Sequence, residues 1–181
     1  MPTENLTALL TGWENFYVIV GSSGAALVGL QFVVLTLIAD RRTVTATTRE
    51  SVNTFGTPTV VHFSGALIFA AIMSAPWPSL SGLTVALRIA GAAGLLYALI
   101  VTLRARRQSE YTAAPEDWLW FIILPWAVYG GVVVATFFLE AHTTGAVFSI
   151  AGAVLGLLCL GIRNAWDTVM YVVVSSAEET K

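Results

Sequence analysis

Five apolar stretches, each about as long as a helix must be to cross a membrane, alternate with short connections, and alternate connections hold the arginines. A hydrocarbon core about 30 Å thick takes roughly 17–25 helical residues at a rise of about 1.5 Å each. The stretches fall at 16–39, 55–75, 83–103, 118–139 and 145–162, and only one contains a charged residue. Charged residues make up 11% of the chain, against 56% hydrophobic, and mean hydropathy is +0.77. With five spans, 181 residues leave no room for a separate soluble domain of about 100 residues. The expected fold is all-α, a polytopic bundle of five transmembrane helices. It forms one domain over 1–175, with an amphipathic helical extension at 163–175 and a disordered tail at 176–181.

The connections carry their own signals. Pro76-Trp77-Pro78-Ser79-Leu80-Ser81-Gly82 predicts a tight hairpin, because each proline removes a backbone donor and biases the residue before it away from helix. Spans two and three are then antiparallel neighbours. Pro115-Glu116-Asp117 is a helix-start signature, and Thr47 and Glu50 have capping-box spacing that starts the second helix within the preceding loop. Residues 1–13 lack the basic region of a signal peptide, so the first span is expected to be retained.

Orientation follows from charge, because arginine and lysine beside a span stay cytoplasmic during insertion. Arg41, Arg42 and Arg49 follow span one, Arg104, Arg106 and Arg107 follow span three, and Arg163 and Lys181 follow span five. These are eight of the nine basic residues, and the opposite connections have none. The expected topology has the N-terminus outside and the C-terminus in the cytoplasm. Trp13, Trp77, Trp118 and Trp120 lie near span ends, where indoles anchor at the interface.

In lipid, helices associate largely through close packing of small residues. Gly21, Ala25 and Gly29 recur at intervals of four on span one, Gly91 and Gly94 lie among alanines on span three, and Gly152 and Gly156 form a GxxxG on span five. These grooves serve either packing within the bundle or assembly of copies.

Polar residues inside spans mark specific contacts or function. Gln31 and His62 lie at matching depths on spans one and two, which suits a mutual hydrogen bond and makes His62 a candidate proton carrier. Arg88 lies about one and a half turns inside the outer end of span three. It either snorkels to the headgroups, pairs with Glu14 or Glu140, or lines the mouth of an oligomeric pore. Pro125 and Gly130-Gly131 predict bends in span four. Beyond span five, Ile162, Ala165, Trp166, Val169, Met170 and Val173 form one helical face. Arg163, Asn164, Asp167, Thr168 and Tyr171 form the other, with Arg163 and Asp167 spaced for a weak pair. The apolar face either lies on the inner leaflet or meets a neighbouring subunit.

No catalytic constellation, cofactor motif or metal site is present in the pattern. The histidines are on different spans or turns, Cys159 is the single cysteine, and HExxH, GxSxG and phosphate-binding glycine loops are missing. Nucleic-acid binding is not expected, since the arginines are interspersed with Asp40, Glu50 and Glu110 and follow from topology. Trp13-Glu14-Asn15-Phe16-Tyr17-Val18-Ile19-Val20-Gly21, continued by Leu27-Val28-Gly29-Leu30-Gln31-Phe32-Val33, resembles the first span of a group of small uncharacterised bacterial inner-membrane proteins. That resemblance implies a bacterial inner membrane and assigns no activity. The functional expectation is a non-enzymatic, self-assembling channel-like protein with Gln31, His62 or Arg88 at its lumen. The alternative is a scaffold or accessory subunit bound to another membrane protein.

Overall fold

The structure, a computed structural model, describes residues 3–39, 46–107 and 118–178, with side chains over 8–36, 57–106 and 118–170. The helices are α1 (Thr3–Ala39), α2 (Ala46–Ser74), α3 (Leu80–Arg107), α4 (Leu124–Phe138, preceded by a π-helical turn Leu119–Ile123) and α5 (Thr143–Glu178). The described residues contain no strand, and five helical segments are long and apolar enough to cross a membrane. This is an all-α bundle of membrane-spanning length.

Several boundaries differ from the sequence reading. Helix α1 begins at Thr3 and its apolar segment at Ala8, well ahead of 16. Helix α2 begins at Ala46, inside the connection, in line with the Thr47–Glu50 signal. Helix α5 continues to Glu178 without a break, so the extension is the end of the fifth span rather than a separate surface helix. The first three residues of the expected tail are helical; 179–181, like Pro115-Glu116-Asp117, Arg41 and Arg42, lie outside the described residues.

The α2–α3 turn is built as its prolines demand. Ser79 accepts from the Gly82 N–H at 3.3 Å and so caps the start of α3, while Trp77 Nε1 closes back on the Ile72 carbonyl at 2.6 Å. Beyond that turn α2 and α3 touch only lightly. The close neighbours are α1 on α2, α2 on α5, α5 on α4 and α4 on α3. Four helices thus close a ring, with α1 packed outside α2.

Glycines decide how closely the helices approach. Any Cβ at Gly94 would fall within the ring of Tyr129, and one at Gly91 would lie 2.6 Å from Val133 Cγ2. Gly161 leaves the space that the Phe63 ring fills, and Gly24 sits over the Phe63 carbonyl, 3.0 Å from where its Cβ would be. Gly21 faces Ala70 and Gly156 faces Val128. Of the expected grooves, Gly91–Gly94 therefore packs along its length, whereas Ala25, Gly29 and Gly152 are exposed, with open space where a Cβ would stand on either glycine.

The π-helical turn explains how Pro125 is accommodated. An α-helical proline loses one hydrogen bond and presses its ring on the carbonyl four residues back, here that of Phe121. With the Leu124 N–H bonded to the Leu119 carbonyl, five residues back, the helix is wider where that ring must fit. The helix then runs through Gly130-Gly131 without interruption.

Candidate functional site

The interior is apolar over one half of the bundle and polar toward the end where Arg104, Arg106 and Arg163 lie, called here the basic end. Toward the opposite end, Phe69, Met73, Leu83, Leu87, Val132 and Ile150 fill the space between α2, α3, α4 and α5. Trp13, Phe16, Tyr17 and Phe148 add an aromatic cluster where α1 meets α5, with Trp13 edge-on to Phe148 at 4.7 Å. Trp13 and Trp77 are thus partly packed into the protein rather than free at its surface.

His62 marks the inner limit of the polar half. Only 2% of its surface is exposed, and its Nδ1 shares a hydrogen bond of 3.2 Å with the Tyr129 hydroxyl, the donor being set by the imidazole tautomer. Tyr129 reaches it because α4 side chains lean toward their helix N-terminus, which is the basic end, and because Gly94 and Gly65 leave the ring its path. Tyr97 stands edge-on to the imidazole, ring centres 6.4 Å apart. The expected Gln31–His62 bond is not formed. Gln31 lies about one turn closer to the basic end, and His62 faces α4 while α1 lies on the other flank of α2.

Closer to the basic end, three helices each bury a polar side chain at about one level. Running the antiparallel contact of Gly24 with Phe63 and Leu67 two turns onward brings Gln31 level with the turn holding Thr59. The contact of Gly161 with Phe63, carried one turn onward, brings Asn164 to that same turn. All three residues are buried, Asn164 completely and Gln31 to 5% exposure. Gln31 Nε2 and both amide atoms of Asn164 have no hydrogen-bond partner. Thr168, buried one turn beyond, donates to the Asn164 carbonyl at 2.9 Å. Neither Asn164 nor Tyr129 was singled out as an interior residue from sequence.

Asn164 and Thr168 show what the sequence pattern of the extension does not. Of the face named polar, Asn164 and Thr168 are turned inward, while Trp166 and Ile162 of the apolar face are 59% and 53% exposed. Arg163 and Asp167, between the two faces, form the expected pair at 2.7 Å, and the Arg163 guanidinium lies 5.8 Å from the Trp120 ring.

An unpaired buried amide costs about 1–3 kcal/mol, and a near-isosteric apolar replacement removes that cost. Asn164→Leu is therefore expected to raise the stability of the purified protein by about 1–2 kcal/mol if its pocket is dry. Chemical or thermal unfolding in detergent checks this. A loss of stability would mean that bound water normally satisfies Asn164.

Arg88 lies elsewhere. Its Nε donates to Thr136 Oγ1 at 3.0 Å, and its guanidinium carbon sits 4.3 Å from the centre of the Phe137 ring. Among the described residues no carboxylate pairs with it, so the expected partners Glu14 and Glu140 are not used. No family model, curated protein or solved structure matches this chain.

Proposed function

We propose that this chain is a bacterial inner-membrane protein, N-terminus outside and C-terminus cytoplasmic, that self-assembles and acts as a channel-like protein. Its polar route lies inside each bundle rather than between copies. The observation that carries the proposal is the set of unpartnered amide atoms of Gln31 and Asn164, one turn from the buried His62–Tyr129 pair. Membrane interiors avoid orphaned polar groups, and those that persist border water or a permeant species. The side chains of this set are uncharged amides, hydroxyls and an imidazole. They suit water, protons or a partly dehydrated monovalent cation better than an anion. Apolar packing in the opposite half makes the described conformation a closed one. Arg104, Arg106 and Arg163 at the basic end support the orientation.

Self-assembly is supported by Ala25 and Gly29, small residues exposed on α1. The same surface favours a second reading, in which another membrane protein docks there and the chain is a non-enzymatic accessory subunit. Light scattering of the nanodisc-embedded particle tests assembly, with a defined multiple of 19.3 kDa expected. In liposomes, proton or potassium flux is expected, and Gln31→Leu, His62→Ala and Asn164→Leu each change it severalfold. A monomer without flux would overturn this function and favour the accessory role.

A further inference from the structure

The length of α4 gives the depth of Arg88. The span Leu119–Phe138 has 20 residues, and so covers about 30 Å, the thickness of a hydrocarbon core. One of its ends is marked by Trp120 under Arg163, as expected at an interface. Its other end must then lie near the opposite headgroups, and Arg88, bonded to Thr136, is level with that end. Although Arg88 is eight residues into α3, it is thus not deep in the membrane. Helix α3 runs about 12 Å on from Arg88 to Leu80, and the guanidinium sits in the corner between it and the last turn of α4.

The chemistry at this corner is incomplete. Thr136 Oγ1 accepts from Arg88 Nε and donates to the Val133 carbonyl at 2.6 Å, so its hydrogen is committed. Phe137 offers the flat face of its ring to the cation and is 65% exposed, which places the guanidinium on the lipid-facing flank. The terminal nitrogens Nη1 and Nη2 meet no carboxylate among the described residues. A guanidinium fixed through Nε with its terminal nitrogens free presents the fork that binds two oxygens of a phosphate.

We infer that Arg88, Thr136 and Phe137 form a binding site for the phosphodiester of one membrane lipid, in the leaflet opposite the basic end. Thr136 and Phe137 hold the guanidinium, and the terminal nitrogens take the non-bridging oxygens. The acyl chains descend along the exposed flank of α4. This goes beyond the proposed route, which involves other residues at the other end of the bundle.

The test is native mass spectrometry of the delipidated full chain titrated with phosphatidylglycerol, with diacylglycerol of the same chains, and with inorganic phosphate. Wild type is expected to bind one phosphatidylglycerol with an affinity about tenfold above that of Arg88→Gln, the effect of losing a charge-assisted bidentate contact. Arg88→Lys, which keeps the charge and loses the fork, should fall between them. Phe137→Leu serves where Arg88→Gln does not fold, and should weaken the same one-lipid step. Equal binding by wild type and variants would overturn the inference, as would diacylglycerol binding as well as phosphatidylglycerol. Saturation by inorganic phosphate alone would overturn the lipid in favour of a free-anion site.

Discussion

Gly94→Ala is expected to destabilise the bundle by about 3 kcal/mol, at the upper end of the 1–3 kcal/mol typical of overpacking. The added Cβ would fall within the ring of Tyr129. That ring cannot retreat cheaply, because it is buried and its hydroxyl is bonded to His62 on a third helix. The alternative is for α3 and α4 to separate, which also opens the contact of Gly91 with Val133. Gly152→Ala and Gly131→Ala are the controls, since nothing lies within 4 Å of a Cβ at either position. Neither should lose stability, and the better helix propensity of alanine offers a gain of up to about 1 kcal/mol. Unfolding midpoints in SDS titrations compare all three. If Gly94→Ala and Gly152→Ala behaved alike, the close approach of α3 and α4 would be wrong.

This contrast shows what was readable in the chain. Length and hydropathy suffice for the five spans, because a helix that satisfies its own backbone is the economical way through lipid. Spacing picks out Gly91–Gly94 and Gly152–Gly156 equally, yet Gly94 receives an aromatic ring and Gly152 faces outward. A repeat says that a helix has a bare strip, not which neighbour the strip faces. Gly24, Gly65 and Gly161 belong to no chosen repeat and were passed over, although each sits at a close contact.

Depth was legible where azimuth was not. Gln31 and His62 are indeed near in height, but a helix can present His62 to any of three neighbours, and it presents it to α4. The extension was legible in part. Its residues sort into two faces by type, but that pattern does not say which residues meet the rest of the bundle. Asn164 and Thr168 go inside and Trp166 goes out. A tyrosine in the middle of an apolar span, as at Tyr129, was the one available signal for the pair, since a buried phenol seeks a partner for its hydroxyl.

Tyr129→Ala should cost about 2–3 kcal/mol, below the 3–5 kcal/mol typical of losing a large aromatic from a soluble core. The reduction follows from the solvent, because lipid recovers part of what a ring gains by leaving water, and the packing loss is what remains. That loss is large here because the ring lies on Gly94 of α3, its hydroxyl lies against Gly65 and His62 of α2, and its edge nears Phe69, 6.4 Å between centres. Tyr129→Phe separates the two contributions, since it keeps the ring and removes only the hydroxyl. Its expected cost is about 0.5–1 kcal/mol, in keeping with measured hydrogen bonds between membrane helices. His62→Leu should cost a similar amount, and the double variant no more than either alone, because both remove the same bond. Additive losses in that cycle would show the hydroxyl and imidazole to contribute independently, and the shared bond to contribute nothing.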